Sequence, residues 1–235
     1  MTKQQIEYDD GTTFLSYHGN HGYFLPFVEL RMDHMAKHGP FDAWLKDKYT
    51  DGDITVLETD TVIDCGSFAG AFSIAAAGMG AKKVYAIEPS SRNYACVVKN
   101  IEHFSAGDVV EPINIGLGNE ESTLKLNLSE FSCEDSFLQP DQKATGEVEE
   151  VKVRKLSNLI DELGIDSSNL YLKVEAEGFE PEIIWGLDDH RPRVITVDVS
   201  PERDNKSPRE DIRAFLAPLG YEFRDTRRCL FAFRT

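Results

Sequence analysis

Two short acidic segments have the residue types and spacing to bind a small molecule that carries both an amine and a sugar. The first has the pattern D-x-G-x-x-x-G and reads Asp64-Cys65-Gly66-Ser67-Phe68-Ala69-Gly70. The second reads Glu88-Pro89-Ser90. A carboxylate that precedes glycines suits an ammonium group better than a diphosphate, and the later carboxylate can accept hydrogen bonds from two ribose hydroxyls.

A third segment carries the residues for proton transfer and reads Lys173-Val174-Glu175-Ala176-Glu177-Gly178-Phe179-Glu180. Because side chains alternate along a strand, Lys173, Glu175 and Glu177 are predicted to project from one face. Glu175 is the predicted catalytic residue, either as the base that takes a proton from an attacking hydroxyl or as the group that orients this hydroxyl. Lys173 would hold the cluster together electrostatically, while Glu177 and Glu180 would shape the pocket.

Two other interpretations apply to this cluster. Glu180 stands beside Pro181 and is also typical of an acid in the first turn of a helix, where the helix dipole favours a negative charge. Three carboxylates could also hold Mg²⁺, which would lower the pKa of an acceptor hydroxyl. We favour a reaction without a metal and predict no metal site.

Strands and helices alternate from about residue 60 onward, and this order must position the three segments. Short β-branched runs predict strands at residues 61–65, 83–87, 109–115, 170–174 and 194–199. Helical patterns are present at residues 71–79, 94–104, 156–163 and 181–187. Such alternation predicts an α/β fold with a mostly parallel sheet, to which a C-terminal hairpin adds an antiparallel strand at one edge. The three acidic segments then lie at the carboxyl ends of strands, where ligands of open α/β sheets bind.

The first 55 residues differ from the rest of the chain in composition and in their pattern of predicted elements. They contain many aromatic residues and two helical stretches separated by Gly39-Pro40. We interpret residues 1–55 as an N-terminal cap on an α/β domain of residues 56–235. Within that domain, alternating apolar residues on both sides of residues 130–149 predict antiparallel strands. This polar stretch itself is either a substrate lid or a disordered surface loop.

Composition excludes several classes of protein. The chain has 235 residues and a formal net charge of −16, which argues against nucleic acid as a partner because duplex binding needs concentrated positive charge. The four cysteines form no C-x-x-C pair, so neither a zinc site nor a disulfide scaffold is expected. The polar N-terminus lacks an apolar signal region, and the most apolar stretch, residues 68–81, is too short to span a bilayer. We expect a soluble, cytoplasmic protein without membrane contact.

An acid for an amine, glycines for close approach and an acid for a ribose together describe S-adenosylmethionine (SAM) as the cofactor. A tight strand-to-helix turn without a ligand would also explain the glycines. An NAD-type oxidoreductase is a further alternative, although the G-x-G-x-x-G pattern of a dinucleotide site is missing. The third alternative is a non-catalytic relative that binds SAM or a partner chain.

Residues 62–70, 86–90, 99–101 and 172–180 together resemble the FkbM family of SAM-dependent methyltransferases. The resemblance covers about residues 58–200 and implies the Rossmann-like sheet of class I methyltransferases. It also implies that Asp64, Gly66 and Gly70 line the methionine end of SAM, Glu88 the ribose and Gly116 the adenine. The remaining predicted cofactor residues are Ser67, Phe68, Pro89 and Ser90.

The resemblance is incomplete on the acceptor side. The family has an aspartate where this chain has Glu175, and another where it has Ser157. A serine that often precedes the substrate side corresponds to Ser136. The histidines His18 and His21 in the cap are a further candidate for an auxiliary base, whereas His34 and His38 are interpreted as solvated side chains.

These observations predict a SAM-dependent O-methyltransferase. Residues 175–178 read Glu-Ala-Glu-Gly, whereas many enzymes that methylate exocyclic amines carry N/D-P-P-Y/F at this place. The expected partner is therefore a small molecule with a hydroxyl acceptor, such as a sugar or a secondary metabolite. A homodimer is compatible with this kind of fold.

Overall fold

The computed structural model describes residues 2–17, 20–139 and 144–234, and of residues 20, 21, 30 and 31 it describes the backbone alone. The N-terminal region begins with a three-stranded antiparallel sheet made of β1 (Lys3–Glu7), β2 (Thr13–Tyr17) and β3 (Asn20–Leu25). Two helices follow, α1 (Leu30–His38) and α2 (Phe41–Tyr49). The two helices were predicted from the sequence, whereas the sheet was not.

The α/β domain starts with alternating strands and helices that match the predicted order. They are β4 (Thr61–Cys65), α3 (Ala71–Gly78), β5 (Lys83–Ile87), α4 (Ser91–His103) and β6 (Val110–Ile113). A second three-stranded sheet then leaves the main sheet and comprises β7 (Gly116–Gly118), β8 (Ser122–Ser129) and β9 (Ala144–Lys155). Strands β8 and β9 pair antiparallel, as the apolar alternation predicted.

The second half of the domain returns to the main sheet. Its elements are α5 (Leu156–Glu162), β10 (Leu170–Val174), α6 (Glu180–Trp185), β11 (Val194–Asp198), α7 (Arg209–Leu216), β12 (Glu222–Asp225) and β13 (Cys229–Phe233). The main sheet has the strand order β12-β13-β11-β10-β4-β5-β6. All its strands are parallel except β13, which is antiparallel to both neighbours. This confirms the predicted α/β fold, and the C-terminal hairpin inserts β13 one place in from the edge.

The core lies on both faces of the main sheet. Ile63 of β4 and Leu172 of β10 pack into the apolar cluster on one face, whereas their neighbours Val62 and Tyr171 pack into the cluster on the other. Because both faces are covered, the central strands are nearly continuous apolar runs in the sequence. This is why residues 61–65 and 170–174 could be predicted as buried strands.

The N-terminal region packs against helices of the α/β domain. The ring of Tyr23 lies 5.5 Å from that of Phe41 and 4.8 Å from that of Phe104 at the end of α4. The buried amide of Asn100 donates to the carbonyls of Phe24 and Ala69 at 2.8 Å each. Asn100 therefore ties β3 to the loop that follows β4. Within the described part of the chain, no helix is long and apolar enough to span a membrane.

Candidate functional site

A cleft opens at the carboxyl ends of β4, β5 and β10. The strand order reverses between β4 and β10, which is where open α/β sheets bind ligands. Helices α1 and α2 of the N-terminal region form one wall of the cleft, and β7 with Phe137 forms another. Six of the predicted cofactor residues line it: Gly66, Ser67, Phe68, Glu88, Pro89 and Gly116. The structure places Asp64, Gly70 and Ser90 behind this lining.

The loop after β4 is shaped by glycines that let the chain approach itself. A Cβ atom on Gly66 would lie 1.7 Å from the carbonyl oxygen of Glu175, so no other residue fits there. Gly66 also has a φ of +71°, in the left-handed region that favours glycine. The backbone N–H groups of Gly66 and Ser67 both donate to the carbonyl of Ile87 at 3.0 Å. Gly66 is thus needed where the ends of β4, β5 and β10 meet.

Glu88 fixes the same loop from the end of β5. Its carboxylate accepts hydrogen bonds from the backbone N–H of Phe68 at 2.7 Å and of Ser90 at 3.0 Å. The side chain is 3% exposed and lines the cleft. Burial raises the pKa of Glu88 to about 8, although the two N–H donors oppose this rise. Glu88 is therefore a partly desolvated acceptor at the position that the sequence predicted for a ribose.

Asp64 is paired inside the protein. Its carboxylate lies 2.9 Å from Nζ of Lys173 and accepts a hydrogen bond from the hydroxyl of Ser73 at 2.6 Å. Lys173 also donates to the carbonyl of Gly66 at 2.7 Å. Burial alone would lower the pKa of Lys173, but Asp64 and Glu175 outweigh it and raise this pKa. The sequence analysis placed Asp64 against a ligand amine, whereas the structure places it behind Lys173, which does line the cleft.

Glu175 is held by two ammonium groups. Nζ of Lys48, from α2, lies 2.5 Å from Oε1 of Glu175 and 2.6 Å from Oδ2 of Asp198, and Lys173 lies 3.7 Å from the other oxygen of Glu175. Burial would raise the pKa of Glu175, but Lys48 and Lys173 lower it to about 2. A carboxylate with so low a pKa is a weak proton acceptor. Of the two predicted roles of Glu175, the geometry favours the orienting one.

Glu177 differs from Glu175 in both conformation and environment. Its φ is +47°, an uncommon left-handed value for a residue other than glycine, and its side chain lines the cleft. The hydroxyl of Ser136 donates to the carbonyl of Glu177 at 2.8 Å and so holds this turn. Burial, followed by the charges of Glu202 and Glu175, raises the pKa of Glu177 well above its usual range. Glu177 therefore combines access to the cleft with a strong affinity for a proton.

Glu180 does not contribute to the cleft. It is 1% exposed, and Oε1 accepts hydrogen bonds from the backbone N–H of Ala176 at 2.7 Å and of Gly178 at 3.3 Å. Burial raises the pKa of Glu180 to about 7. The carboxylate of Glu180 turns back onto the loop before α6 and holds the backbone of Ala176, which lines the cleft, so any effect of Glu180 on the pocket acts through this loop. The alternative interpretation, an acid in the first turn of a helix, describes it better.

The segment after β8 forms an ordered wall of the cleft. Asp135 lines the cleft and accepts hydrogen bonds from Arg92, from the hydroxyl of Ser90 at 2.9 Å and from the backbone N–H of Ser129 at 2.9 Å. Residues 130–139 are thus not a disordered loop, and residues 144–149 belong to β9. His18 and the side chain of His21 lie outside the described residues, as do residues 140–143.

Polar residues that the sequence analysis did not assign surround the cleft. Lys48 and Asp198 lie next to Glu175, and the charge of Glu202 acts on Glu177. Asn93 and Asp135 instead contact Glu88 and Ser90 on the predicted cofactor side. Asp198 had a local signal, since it lies in the predicted strand 194–199. Lys48 lies in a helix remote in sequence, and its partners could not be identified without the tertiary structure. Among the described residues, no group of three or more His, Cys, Asp or Glu side chains is arranged to hold a metal ion.

A family model described as Methyltransferase FkbM domain matches residues 64–223. No curated protein sequence matches the chain significantly. The solved structure of an FkbM methyltransferase from Methylobacillus flagellatus superposes with a TM-score of 0.53 at 16% identity, covering 75% of this chain and 44% of that chain. At this identity the likeness shows a shared fold. The matched region covers less than half of that methyltransferase.

Two further solved structures are more distant in shape. A precorrin-6y C5,15-methyltransferase from Geobacter metallireducens gives a TM-score of 0.47 at 13% identity, covering 97% of this chain and 96% of that chain. A tRNA m1G37 methyltransferase from M. jannaschii gives a TM-score of 0.48 at 15% identity, covering 96% of this chain and 56% of that chain.

Proposed function

The chain belongs to the FkbM methyltransferase family, whose members depend on SAM, and from that premise we propose that it methylates a hydroxyl oxygen of a small molecule. The family assignment confirms the resemblance stated from the sequence. The acceptor atom and the acceptor class are the parts that the proposal adds. These two parts rest on the side chains of Glu175 and Glu177, which line the cleft.

The groups in the cleft fit SAM. Glu88 offers a buried carboxylate to a ribose diol. The hydroxyl of Ser67 and Oδ1 of Asn93 also line the cleft, are buried, and have no hydrogen-bond partner within the described part of the chain. Unpaired buried polar atoms are costly, so such atoms in a cleft favour a polar ligand that completes them. Lys173 connects this cofactor part of the cleft with Glu175, since its ammonium group contacts both the carbonyl of Gly66 and the carboxylate of Glu175.

When bound, SAM supplies an electrophilic methyl group, and the C–O bond to the acceptor forms as the S–C bond breaks and leaves its electron pair on sulfur. The protein must align the acceptor oxygen and accept its proton. Glu175, fixed by Lys48 and Lys173, can accept a hydrogen bond from the acceptor hydroxyl and orient it. Glu177 in its ionised form can take the proton as the new bond forms, because its raised pKa makes it the stronger base of the two carboxylates.

The single observation that carries the proposal is the contrast between Glu175 and Glu177. Two carboxylates stand two positions apart at the same cleft, yet their pKa values are moved in opposite directions by their surroundings. Such a separation of acid–base roles is typical of sites that move a proton at neutral pH. An enzyme that methylates an exocyclic amine through the N/D-P-P-Y/F motif would not require this separation of acid–base roles.

Methyl transfer from isotope-labelled SAM to a panel of hydroxyl and amine compounds tests this function. We expect label on hydroxyl compounds, in the presence and in the absence of a chelator. Glu177→Gln should lower kcat by about 10²-fold or more while affinity for S-adenosylhomocysteine stays within about twofold of that of the unchanged protein. Glu102→Gln, an exposed carboxylate on α4, is the matched control and should be silent.

Two results would overturn the proposal, and a third would change its mechanism. Label on amines but on no hydroxyl compound would assign a different reaction. Unchanged kcat in Glu177→Gln would remove Glu177 as the proton acceptor. Loss of turnover on chelation would restore the metal-assisted alternative.

A further inference from the structure

The part of the cleft built by the N-terminal region is apolar. Each described residue that α1 and α2 contribute to the lining has an apolar or aromatic side chain: Met32, Met35, Phe41, Trp44 and Leu45. The charged residues that line the cleft come from the α/β domain instead. The two sides of the cleft therefore offer different chemistry to whatever lies between them.

This apolar wall stands at the reacting end of the cleft. Met32 and Phe41 belong to the same buried cluster as Ala69 and Ala71, which follow β4. The ring of Trp44 lies 5.6 Å from Nζ of Lys48, the group that holds Glu175. The wall thus adjoins the loop after β4 and, through Lys48, Glu175, and Gly116 and Phe137 also line the cleft.

Trp44 leaves much of its ring uncovered at this place. It is 41% exposed, although Phe41 on the same helix is 7% exposed. Because Trp44 also lines the cleft, its uncovered ring adds to the apolar surface that a ligand in the cleft would meet. Met35, which also lines the cleft, is half-buried, and its flexible thioether can adapt to an aromatic ring.

We propose that the acceptor is a flat aromatic compound with a phenolic hydroxyl, whose ring lies against Trp44 and Met35 while its oxygen faces Glu175 and Glu177. This inference rests on the proposed function and names its substrate class. Aromatic rings gain from offset or edge-to-face contact with Trp44 and from contact with methionine sulfur. A sugar, in contrast, would bury several hydroxyls against a wall that has no partners for them.

A phenol also suits this site because its hydroxyl is more acidic than that of an alcohol. A phenol has a pKa of about 10, whereas water and simple alcohols are far weaker acids, with a pKa of about 15.7 for water. A carboxylate removes a proton much more readily from a phenol. The ammonium groups of Lys48 and Lys173 near Glu175 also favour negative charge on the acceptor oxygen.

Equilibrium binding of two probes tests the inference without relying on turnover. 2-Naphthol and methyl α-glucoside are titrated into the full chain with S-adenosylhomocysteine present at saturation, so that the cofactor part of the cleft is filled. We expect 2-naphthol to bind and the glucoside not to bind. Trp44→Ala should weaken 2-naphthol binding by about tenfold or more. Trp185→Ala is the matched control, because Trp185 is 38% exposed but lies outside the cleft lining.

Each outcome decides between the alternatives. Binding of the glucoside in place of 2-naphthol, or absence of binding by both probes, would overturn the inference. Equal loss of 2-naphthol binding in both tryptophan variants, or in neither, would also overturn it, since contact with Trp44 would then not matter. If 2-naphthol binds as expected while no hydroxyl compound receives a methyl group from SAM, the acceptor surface stands and the proposed O-methyl transfer is contradicted.

Discussion

Nζ of Lys48 lies 2.5 Å from Oε1 of Glu175, and this contact joins the N-terminal region to the site of proton transfer. The same ammonium group lies 2.6 Å from Asp198, so it bridges the carboxyl ends of β10 and β11. Only 9% of the Lys48 side chain is exposed. The N-terminal helix α2 therefore both covers the cleft and sets the charge of Glu175.

Replacement of Lys48 by methionine keeps the length of the side chain but removes its charge. Glu175 and Asp198 would then face each other without the shared cation, and loss of one partner of a buried ion pair costs about 3 kcal/mol. For a chain of this size that corresponds to a fall in Tm of about 6–12 °C. Glu175 should also become a stronger base, because its pKa is held low by this cation. Thermal unfolding of Lys48→Met measures the first effect.

The matched control is Lys46→Met, since Lys46 is an exposed lysine on the same helix. We expect its Tm to stay within about 2 °C of the original value, as is usual for surface substitutions. A Tm for Lys48→Met as high as that of Lys46→Met would show that the bridge contributes no stability.

Ligand binding should depend on pH through Glu88. Burial raises the pKa of Glu88 to about 8 from a usual value near 4.5, so the folded protein holds a proton in this range that the unfolded chain does not. That contribution to stability is present below about pH 4.5 and is lost as the pH rises to about 8. Ribose hydroxyls donate to the ionised form. The affinity for S-adenosylhomocysteine should therefore increase by up to tenfold per pH unit between pH 6 and 8.

Calorimetric titration at pH 6, 7 and 8 measures this dependence, and Glu88→Gln is the control. Titration of the ligand's own groups affects both proteins equally, but Glu88→Gln lacks the ionisable carboxylate that would accept from the ribose. Its affinity should be about 10–100-fold lower at pH 8 and should vary less with pH. An identical pH profile for both proteins would assign the ribose contact to another residue.

Gly66 gives a test of the loop after β4. Gly66→Ala would place a Cβ atom 1.7 Å from the carbonyl oxygen of Glu175, so the loop or β10 must move by more than an atomic radius. Gly164 has a similar φ, +62° against +71°, but has no atom within 4 Å of the corresponding Cβ position. Gly164→Ala should cost about 1 kcal/mol from backbone strain alone.

We expect Gly66→Ala to cost several times more and to abolish binding of S-adenosylhomocysteine. Chemical denaturation of both variants measures the difference in the free energy of unfolding. If Gly66→Ala does not fold, recovery of soluble Gly164→Ala still distinguishes a steric effect from the shared strain. Equal stability of the two variants would contradict the close approach of Gly66 to Glu175.

The cofactor half of the cleft could be predicted because its information is local. Residues 64–70 end a buried strand and continue directly after it, residues 88–90 directly follow the next strand, and each segment is one short stretch of sequence. The parallel order of the strands then brings the two segments together. The partner of Asp64 could not be predicted in this way, because Asp64 pairs with Lys173, which lies on a different strand.

The acceptor half could not be predicted because it is assembled from distant parts of the chain. Lys48 and Glu175 are 127 positions apart, and nothing near either residue indicates the other. The N-terminal sheet was missed for a related reason. Every residue of β1 is exposed, so the strand lacks the apolar alternation that marks a half-buried strand.

The claim that the carboxyl ends of β4 and β5 form a SAM site is tested most directly by calorimetry of the purified chain with S-adenosylhomocysteine and, separately, with NAD⁺. We expect saturable binding of S-adenosylhomocysteine at one site per chain, and no heat from NAD⁺ beyond dilution. Saturable binding of NAD⁺, with none of S-adenosylhomocysteine, would contradict it.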